Sequence, residues 1–332
     1  MTTTLHRAQP AAEPPPPPGS ADPAGPGVQV FESVAGFSGA LDAIRQSGMT
    51  VGLVPTMGAL HPGHCSLIER AAAECDVVAV SIFVNPTQFG DASDLANYPR
   101  TWDEDLRAVA SAGGQVVFAP SVAEMYPEQD GGARTTVSVS ALGRRWEGAS
   151  RPGHFDGVAT VVVKLLTSAG RCRAYFGEKD YQQLAVVRRV AADLFLPVEI
   201  VGCRTVRDED GLALSSRNIR LSSDERQAAL AISRALRTGA TLVERGEDRA
   251  AAVEAAMSQV VAEEPLVELD YAVVVHADDL EPALHCSSDG PVRLLIAAAV
   301  GPVRLIDNLD TGSVRAFSGR LPAREPAGRT CS

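Results

Sequence analysis

His61 and His64 stand three residues apart and are the side chains best placed to do chemistry. They lie in Pro55-Thr56-Met57-Gly58-Ala59-Leu60-His61-Pro62-Gly63-His64. An apolar run, Met49 to Val54, precedes this segment and predicts a short strand. The order is strand, glycine turn, helix start. Pro62 fits a first helical position. Gly58 and Gly63 let backbone approach a ligand closely. Free amides and the helix dipole at such a point attract phosphate. Two histidines at this spacing share a helix face. Their imidazoles can donate hydrogen bonds to charge that builds up in a transition state. Two other readings exist, a metal site and a pair of helix-capping histidines. Zinc would need further ligands, and nearby Cys65 alone does not complete the set. The strand and glycine turn favour phosphate.

Other chemistry-bearing residues follow strand-like runs. The chain has 28 Arg and two Lys, Lys164 and Lys179. Scarcity makes each lysine a candidate for chemistry. Lys179 follows a strand, beside Asp180, and suits a point-charge contact to polyphosphate; the plainer reading is a surface ion pair. Ser215, Ser216 and Arg217 form a polar loop able to wrap phosphates, or else an ordinary hydroxyl-rich turn. Asn85 and Gln88 end a buried strand, where α/β sheets place ligands, although Asn-Pro also marks simple turns. Arg151 and His154 precede a helix and read by themselves as capping residues. Asp103, Glu104 and Asp105 open a helix. A metal role is open to them, but acidic residues in a first turn usually complement the dipole, and that reading is preferred. Neither lysine follows a glycine, so there is no Walker A loop. No G-x-G-x-x-G follows a strand either.

The elements that must position these residues alternate. Strands are predicted at Met49 to Val54, Val77 to Val84, Gln115 to Ala119, Arg173 to Phe176 and Val198 to Cys203. Helices are predicted at Ser66 to Cys75, Asp103 to Ala112, Val158 to Ala169 and Gln182 to Phe195. Such alternation implies βαβ units and a parallel sheet. Beyond about residue 205 the order changes. Ser222-Ser223-Asp224-Glu225 is a capping box opening a long helix, and a second helix follows near Arg249 to Glu263. Strands at Leu269 to His276, Arg293 to Ala298 and Val303 to Asn308 complete a smaller α+β unit.

Composition narrows the function. The 332 residues are 45% hydrophobic and 21% charged, ordinary for a globular enzyme. The longest apolar stretch, Leu294 to Val303, is too short for a membrane span. The N-terminus lacks the apolar segment of a secretory signal. A net charge of −11 argues against nucleic-acid binding, which wants a basic face. Six cysteines without a CxxC suit a reducing cytosol. Residues 1–27 hold eight of the 22 prolines, and that segment and 312–332 read as disordered tails.

The HxGH segment resembles that of the adenylyl-transferring superfamily that includes class I aminoacyl-tRNA synthetases. Within it, Val54 to His64 is similar to the pantoate–β-alanine ligase family. Further blocks agree in order: Ser81 to Phe89, Asp94 to Arg100, Arg151 to Val158, Phe176 to Gln183, and Arg207-Asp208 with Gly211 to Asn218. The resemblance runs from about residue 28 to 310. Leu214 stands where the family usually has Met, a volume-conserving change, and the N-terminal extension lies outside the family core. The resemblance implies a Rossmann-like nucleotide domain over 28–205 and a C-terminal lid domain over 206–311. It implies ATP-dependent amide formation through an acyl adenylate, in a cytoplasmic homodimer of bacterial origin. ATP, with Mg²⁺ held mainly by phosphate oxygens, would meet Met57 to His64, Gly177, Glu178, Lys179, Asp180, Val206, Leu214, Ser215, Ser216 and Arg217. Catalysis would fall to His61, His64, Lys179, Ser216 and Arg217. Asn85, Gln88, Arg151, His154 and Gln183 would meet pantoate or β-alanine. Two other functions are a nucleotidyltransferase of the same superfamily acting on a phosphorylated substrate, and a silent nucleotide-binding module.

Overall fold

The computed structural model describes residues 27–90, 95–127, 134–287 and 290–311. The chain opens with β1 (Gln29–Phe31), α1 (Val34–Gln46), β2 (Val51–Thr56), α2 (Pro62–Glu74) and β3 (Val77–Ile82). Next come α3 (Trp102–Ser111), β4 (Val116–Phe118), α4 (Val122–Met125), α5 (Glu147–Ser150) and α6 (His154–Ala169). They are followed by β5 (Cys172–Gly177), α7 (Tyr181–Asp193) and β6 (Val198–Cys203). Their six strands form one parallel sheet in the order β1-β4-β3-β2-β5-β6. The expected α/β class is thus the observed one.

Helices cover both faces of this sheet, as buried parallel strands require. Successive side chains of a strand point to opposite faces. Val51 and Leu53 of β2 therefore join one core with α1, α6 and α7, while Val54 joins a second with α2 and α3. Strand β2 runs on through Pro55 to Thr56, two residues past the predicted end. There Pro55 costs a ladder bond only near the strand's end.

The remainder is the expected smaller α+β unit. Its elements are α8 (Ser223–Glu244), α9 (Ala250–Ala262), β7 (Val267–His276), β8 (Val292–Val300) and β9 (Val303–Asp310). The predicted Ser222 capping box is present: Ser222 accepts from Glu225 N–H, and Glu225 accepts from Ser222 N–H. The antiparallel order is β7-β8-β9. The apolar stretch from Leu294 is the β8–β9 hairpin, turning at Gly301 with φ +53°. One face of this small sheet packs on α8 and α9. From its other side Val275 and Leu295, with Leu280 of the loop after β7, join the α6–α7 core. Among the described residues no helix is long and apolar enough to cross a membrane. The tails expected at 1–27 and 312–332 lie, but for Gly27, outside the described residues.

Candidate active site

The chain runs from β2 outward to β3 and β4, then returns to lay β5 and β6 on β2's other side. In open α/β sheets such a reversal makes a crevice at the carboxyl ends of the strands. The loops after β2, β3, β5 and β6, with the segment between β4 and α6, carry the residues singled out above. Two cavities, about 570 and 410 Å³, open there. They adjoin, and Arg151, His154, Lys179, Asp180, Gln183, Ser215 and Arg217 line both. The larger is bounded by His61, His64, Val206, Leu214 and Ser216. The smaller reaches β9 at Arg304 and Asp307.

The two histidines cap their own helix and face the larger cavity as well. His61 Nδ1 accepts from Gly63 N–H at 3.1 Å, and His64 Nδ1 accepts from His61 N–H at 3.4 Å. An imidazole that accepts at Nδ1 carries its proton at Nε2. Each ring is therefore a neutral donor at Nε2. The rings lie 4.0 Å apart, centroid to centroid. Burial pushes the His64 imidazole down to about 3, with His61 adding to the effect. Burial and Lys179 also lower His61.

The backbone amides expected to be free for phosphate are not. Gly58 N–H donates to Thr56 Oγ1 at 3.2 Å. Ala59 and Leu60 N–H donate to the Asp105 carboxylate at 3.0 and 2.7 Å. Asp105 itself is 2% exposed, so the acidic start of α3 is not simply a dipole complement. Only Asp103 and Glu104 are exposed there. Gly58, Ala59, Leu60 and Pro62 stand back from both cavities, as does Glu178.

Asn85 also differs from expectation. It is 1% exposed and every side-chain atom is spent. Its Nδ2 donates to Gln88 Oε1 at 3.0 Å and Gly157 O at 3.3 Å. Its Oδ1 accepts from Tyr126 Oη at 2.9 Å and Thr87 Oγ1 at 3.0 Å. Asn85 therefore fixes the Gln88 amide with its Oε1 held inward, and Gln88 lines the larger cavity. Arg151 and His154 close over the same turn. His154 Nδ1 donates to Gln88 O at 3.0 Å, and its Nε2 accepts from Arg151 at 3.1 Å.

Lys179 is mostly buried and 3.5 Å from Asp180 Oδ1. Burial acts to raise the Asp180 carboxyl, but Lys179 and Arg217 outweigh it and hold it below its ordinary value. The turn bearing Lys179 is tied to the C-terminal sheet, which the sequence did not reveal. Asn308 Nδ2 donates to the carbonyls of Glu178 and Lys179, both at 2.8 Å. Arg293 pairs with Glu178 at 3.3 Å and stacks 3.6 Å above the Tyr181 ring. Ser215 Oγ accepts from Arg217 N–H, shaping the turn that presents Ser216 and Arg217.

These buried imidazoles set an acid limit. Burial and Arg151 lower His154 to about 4. The unfolded chain takes up these protons near pH 6.5, whereas the folded chain waits until about 4 at His154 and about 3 at His64. Acid favours the state that binds more protons, so stability falls as pH drops from 6.5 towards 4. Melting midpoints measured across that interval should decline, and less steeply in a His154→Gln variant. Parallel curves for both proteins would contradict this.

The pantoate-beta-alanine ligase family profile matches residues 29–310. A Rubrobacter xylanophilus protein named pantothenate synthetase is 54% identical over 268 residues, 80% of this chain and 92% of that one. A Deinococcus radiodurans protein of the same name is 54% identical over 264 residues, 78% of this chain and 92% of its own. The crystal structure of pantothenate synthetase from Thermus thermophilus superposes with a TM-score of 0.79 at 44% identity, covering 86% of this chain and 99% of that one. The Francisella tularensis ligase, solved with β,γ-ATP and β-alanine, gives 0.68 at 34%, covering 86% and 98%. With a profile match from β1 to the end of β9 and relatives alike over nearly their whole length, the chain belongs to the pantoate–β-alanine ligase family.

Proposed function

We propose that the chain joins pantoate to β-alanine at the expense of ATP by way of pantoyl adenylate. The ATP-dependent ligation itself follows from family membership; the intermediate and the residue roles are our reading. One observation carries it. Two neutral imidazole donors, Lys179 and Arg217 border the same cavity as Gln88 and Gln183. That combination suits a phosphate beside a small hydroxy acid. Pro55, Met57, Leu67, Phe89 and Phe176 add an apolar wall suited to pantoate's dimethyl group.

In the first step a pantoate carboxylate oxygen attacks the α-phosphorus and pyrophosphate leaves. Negative charge gathers on the phosphoryl oxygens, where His61, His64, Lys179, Ser216 and Arg217 meet it. In the second step the β-alanine amine attacks the acyl carbon. The acyl–oxygen bond breaks, the amine loses a proton, and AMP leaves with the bridging oxygen. Gln88, Gln183, Arg151 and His154 hold the acyl part in line.

ATP arrives as its Mg²⁺ complex. Among the described residues no three acidic, cysteine or histidine side chains cluster to hold a metal. Among the same residues Asp180 is the one carboxylate bordering the larger cavity. Asp180 would be the protein carboxylate nearest to such an ion, and phosphate oxygens would supply most of its ligands. The unit over 206–311 serves as a lid on the one over 28–205, supported by Asn308 and Arg293 reaching the Lys179 turn. The family resemblance supports a cytoplasmic homodimer.

Assaying AMP release with pantoate and β-alanine, singly and together, tests the function. Sustained release only with both is expected. Transfer of adenylyl to a phosphorylated acceptor without β-alanine would instead mark a nucleotidyltransferase, and no turnover a silent module.

A further inference from the structure

Asp105 is a buried carboxylate that the reaction scheme does not use. It opens α3, forty-one residues beyond His64, yet it bonds to the segment leading into α2. Its Oδ2 accepts Ala59 N–H at 3.0 Å. Its Oδ1 accepts Leu60 N–H at 2.7 Å and Thr101 Oγ1–H at 3.2 Å. No arginine or lysine pairs with it among the described residues. Two backbone amides and one hydroxyl supply its compensation.

The loop it holds is strained. Gly58 has φ +81° and Ala59 has φ +50°, the latter a conformation that costs a non-glycine residue about 1 kcal/mol or more. Successive amides turned inward by such backbone form an anion-binding nest. Sequence logic reserves that nest for phosphate. Here it holds the protein's own anion, the Asp105 carboxylate. Substrate phosphate is then left to the side chains that follow, the Nε2 donors of His61 and His64.

We propose that Asp105 is a positioning residue for adenylate formation. It locks the loop that starts α2, and so fixes where the two imidazoles place their Nε2–H groups. It also keeps the α-phosphate off the backbone and out among the side chains, where a carboxylate can reach it. The proposal rests on the adenylate reading above.

Asp105→Asn tests it. The change keeps volume but sets an N–H against one of two amide donors. Pantoate-dependent exchange of pyrophosphate into ATP should fall at least about tenfold in kcat, with the KM for ATP moving less than about threefold, because misplacement of a catalytic donor costs rate more than binding. Supplied pantoyl adenylate should still react with β-alanine within about twofold of the parent rate, since that step escapes the phosphoryl charge build-up. Equal losses in both half-reactions, or unchanged exchange, would overturn the positioning role. Should the variant fail to fold, Gly58→Ala presses on the same contact. Its Cβ would sit 3.0 Å from Asp105 Oδ2 and 3.2 Å from Ile82 Cγ2. The same split between half-reactions is then expected, and its absence would equally overturn the role. Failure of the unaltered protein to show pantoate-dependent exchange would instead remove the adenylate reading.

Discussion

Replacing His64 or Lys179 by alanine should slow pantoyl adenylate formation by roughly 10²–10³, the scale for losing one preorganised donor. Both groups answer charge that peaks at the α-phosphorus. His64 gives a neutral Nε2–H, because its Nδ1 is taken by His61 N–H. Lys179 gives a full charge, only loosely matched by Asp180 at 3.5 Å. The second half-reaction leaves an already charged phosphate and should lose far less. The two variants differ in stability. Lys179→Ala removes a single weak ion pair and should melt almost normally. His64→Ala also removes a helix cap, worth about 1 kcal/mol. His64→Asn can restore an acceptor for His61 N–H without restoring the Nε2 donor, so it should recover melting temperature and not rate. Rapid-quench measurement of the first turnover beside a melting curve separates these effects. Recovery of rate in the asparagine variant would contradict the donor role.

Gly157→Ala should produce the largest combined loss of stability and substrate binding. A Cβ there would lie 2.3 Å from Thr87 O and 2.7 Å from Thr87 C. Both are backbone atoms and cannot swing aside. Helix α6 must then shift from the turn that carries Gln88, at an overpacking cost of about 1–3 kcal/mol. The same shift pulls Gly157 O from Asn85 Nδ2, now 3.3 Å away, and loosens the amide that holds Gln88. A melting midpoint several degrees lower and a pantoate KM at least about tenfold higher are expected, since 1 Å of misplacement is costly at a preorganised site. Unchanged melting would mean that the helix and the turn are not in contact. Lower stability with normal pantoate KM would detach Gln88 from pantoate.

What the sequence made legible was local. Helix and strand periods marked the strands from β2 to β9 and the longer helices between them but not the one-turn helices α4 and α5, which are too short to show a period, and the strand–glycine–helix order led to the cavity that His61 and His64 border. β1 and α1 were missed. β1 is a three-residue edge strand with a mostly exposed pattern, and α1 carries Gly36 and Gly39, which weaken a helical signal. Long-range polar pairs left no period to read. The backbone amides that Asp105 accepts lie 45 and 46 residues away. Those of Asn308 lie about 130 residues away. For the same reason Asn85 reads as a ligand-facing amide when it is a buried brace for Gln88. The capping reading of His61 and His64 holds in the fold without displacing the chemical one. Each ring has two nitrogens, so Nδ1 can cap while Nε2 faces the cavity.

The acyl adenylate is tested most directly by following oxygen. Pantoate labelled with ¹⁸O in both carboxylate oxygens is supplied with MgATP and β-alanine, and the products are weighed by mass spectrometry. Attack on the α-phosphorus puts one labelled oxygen in the acyl–phosphate bridge. Amine attack on the acyl carbon then leaves that oxygen on phosphorus. AMP should carry one ¹⁸O, pantothenate should keep one at its amide carbonyl, and pyrophosphate should carry none. Unlabelled AMP, with the label in pyrophosphate or orthophosphate, would contradict the account.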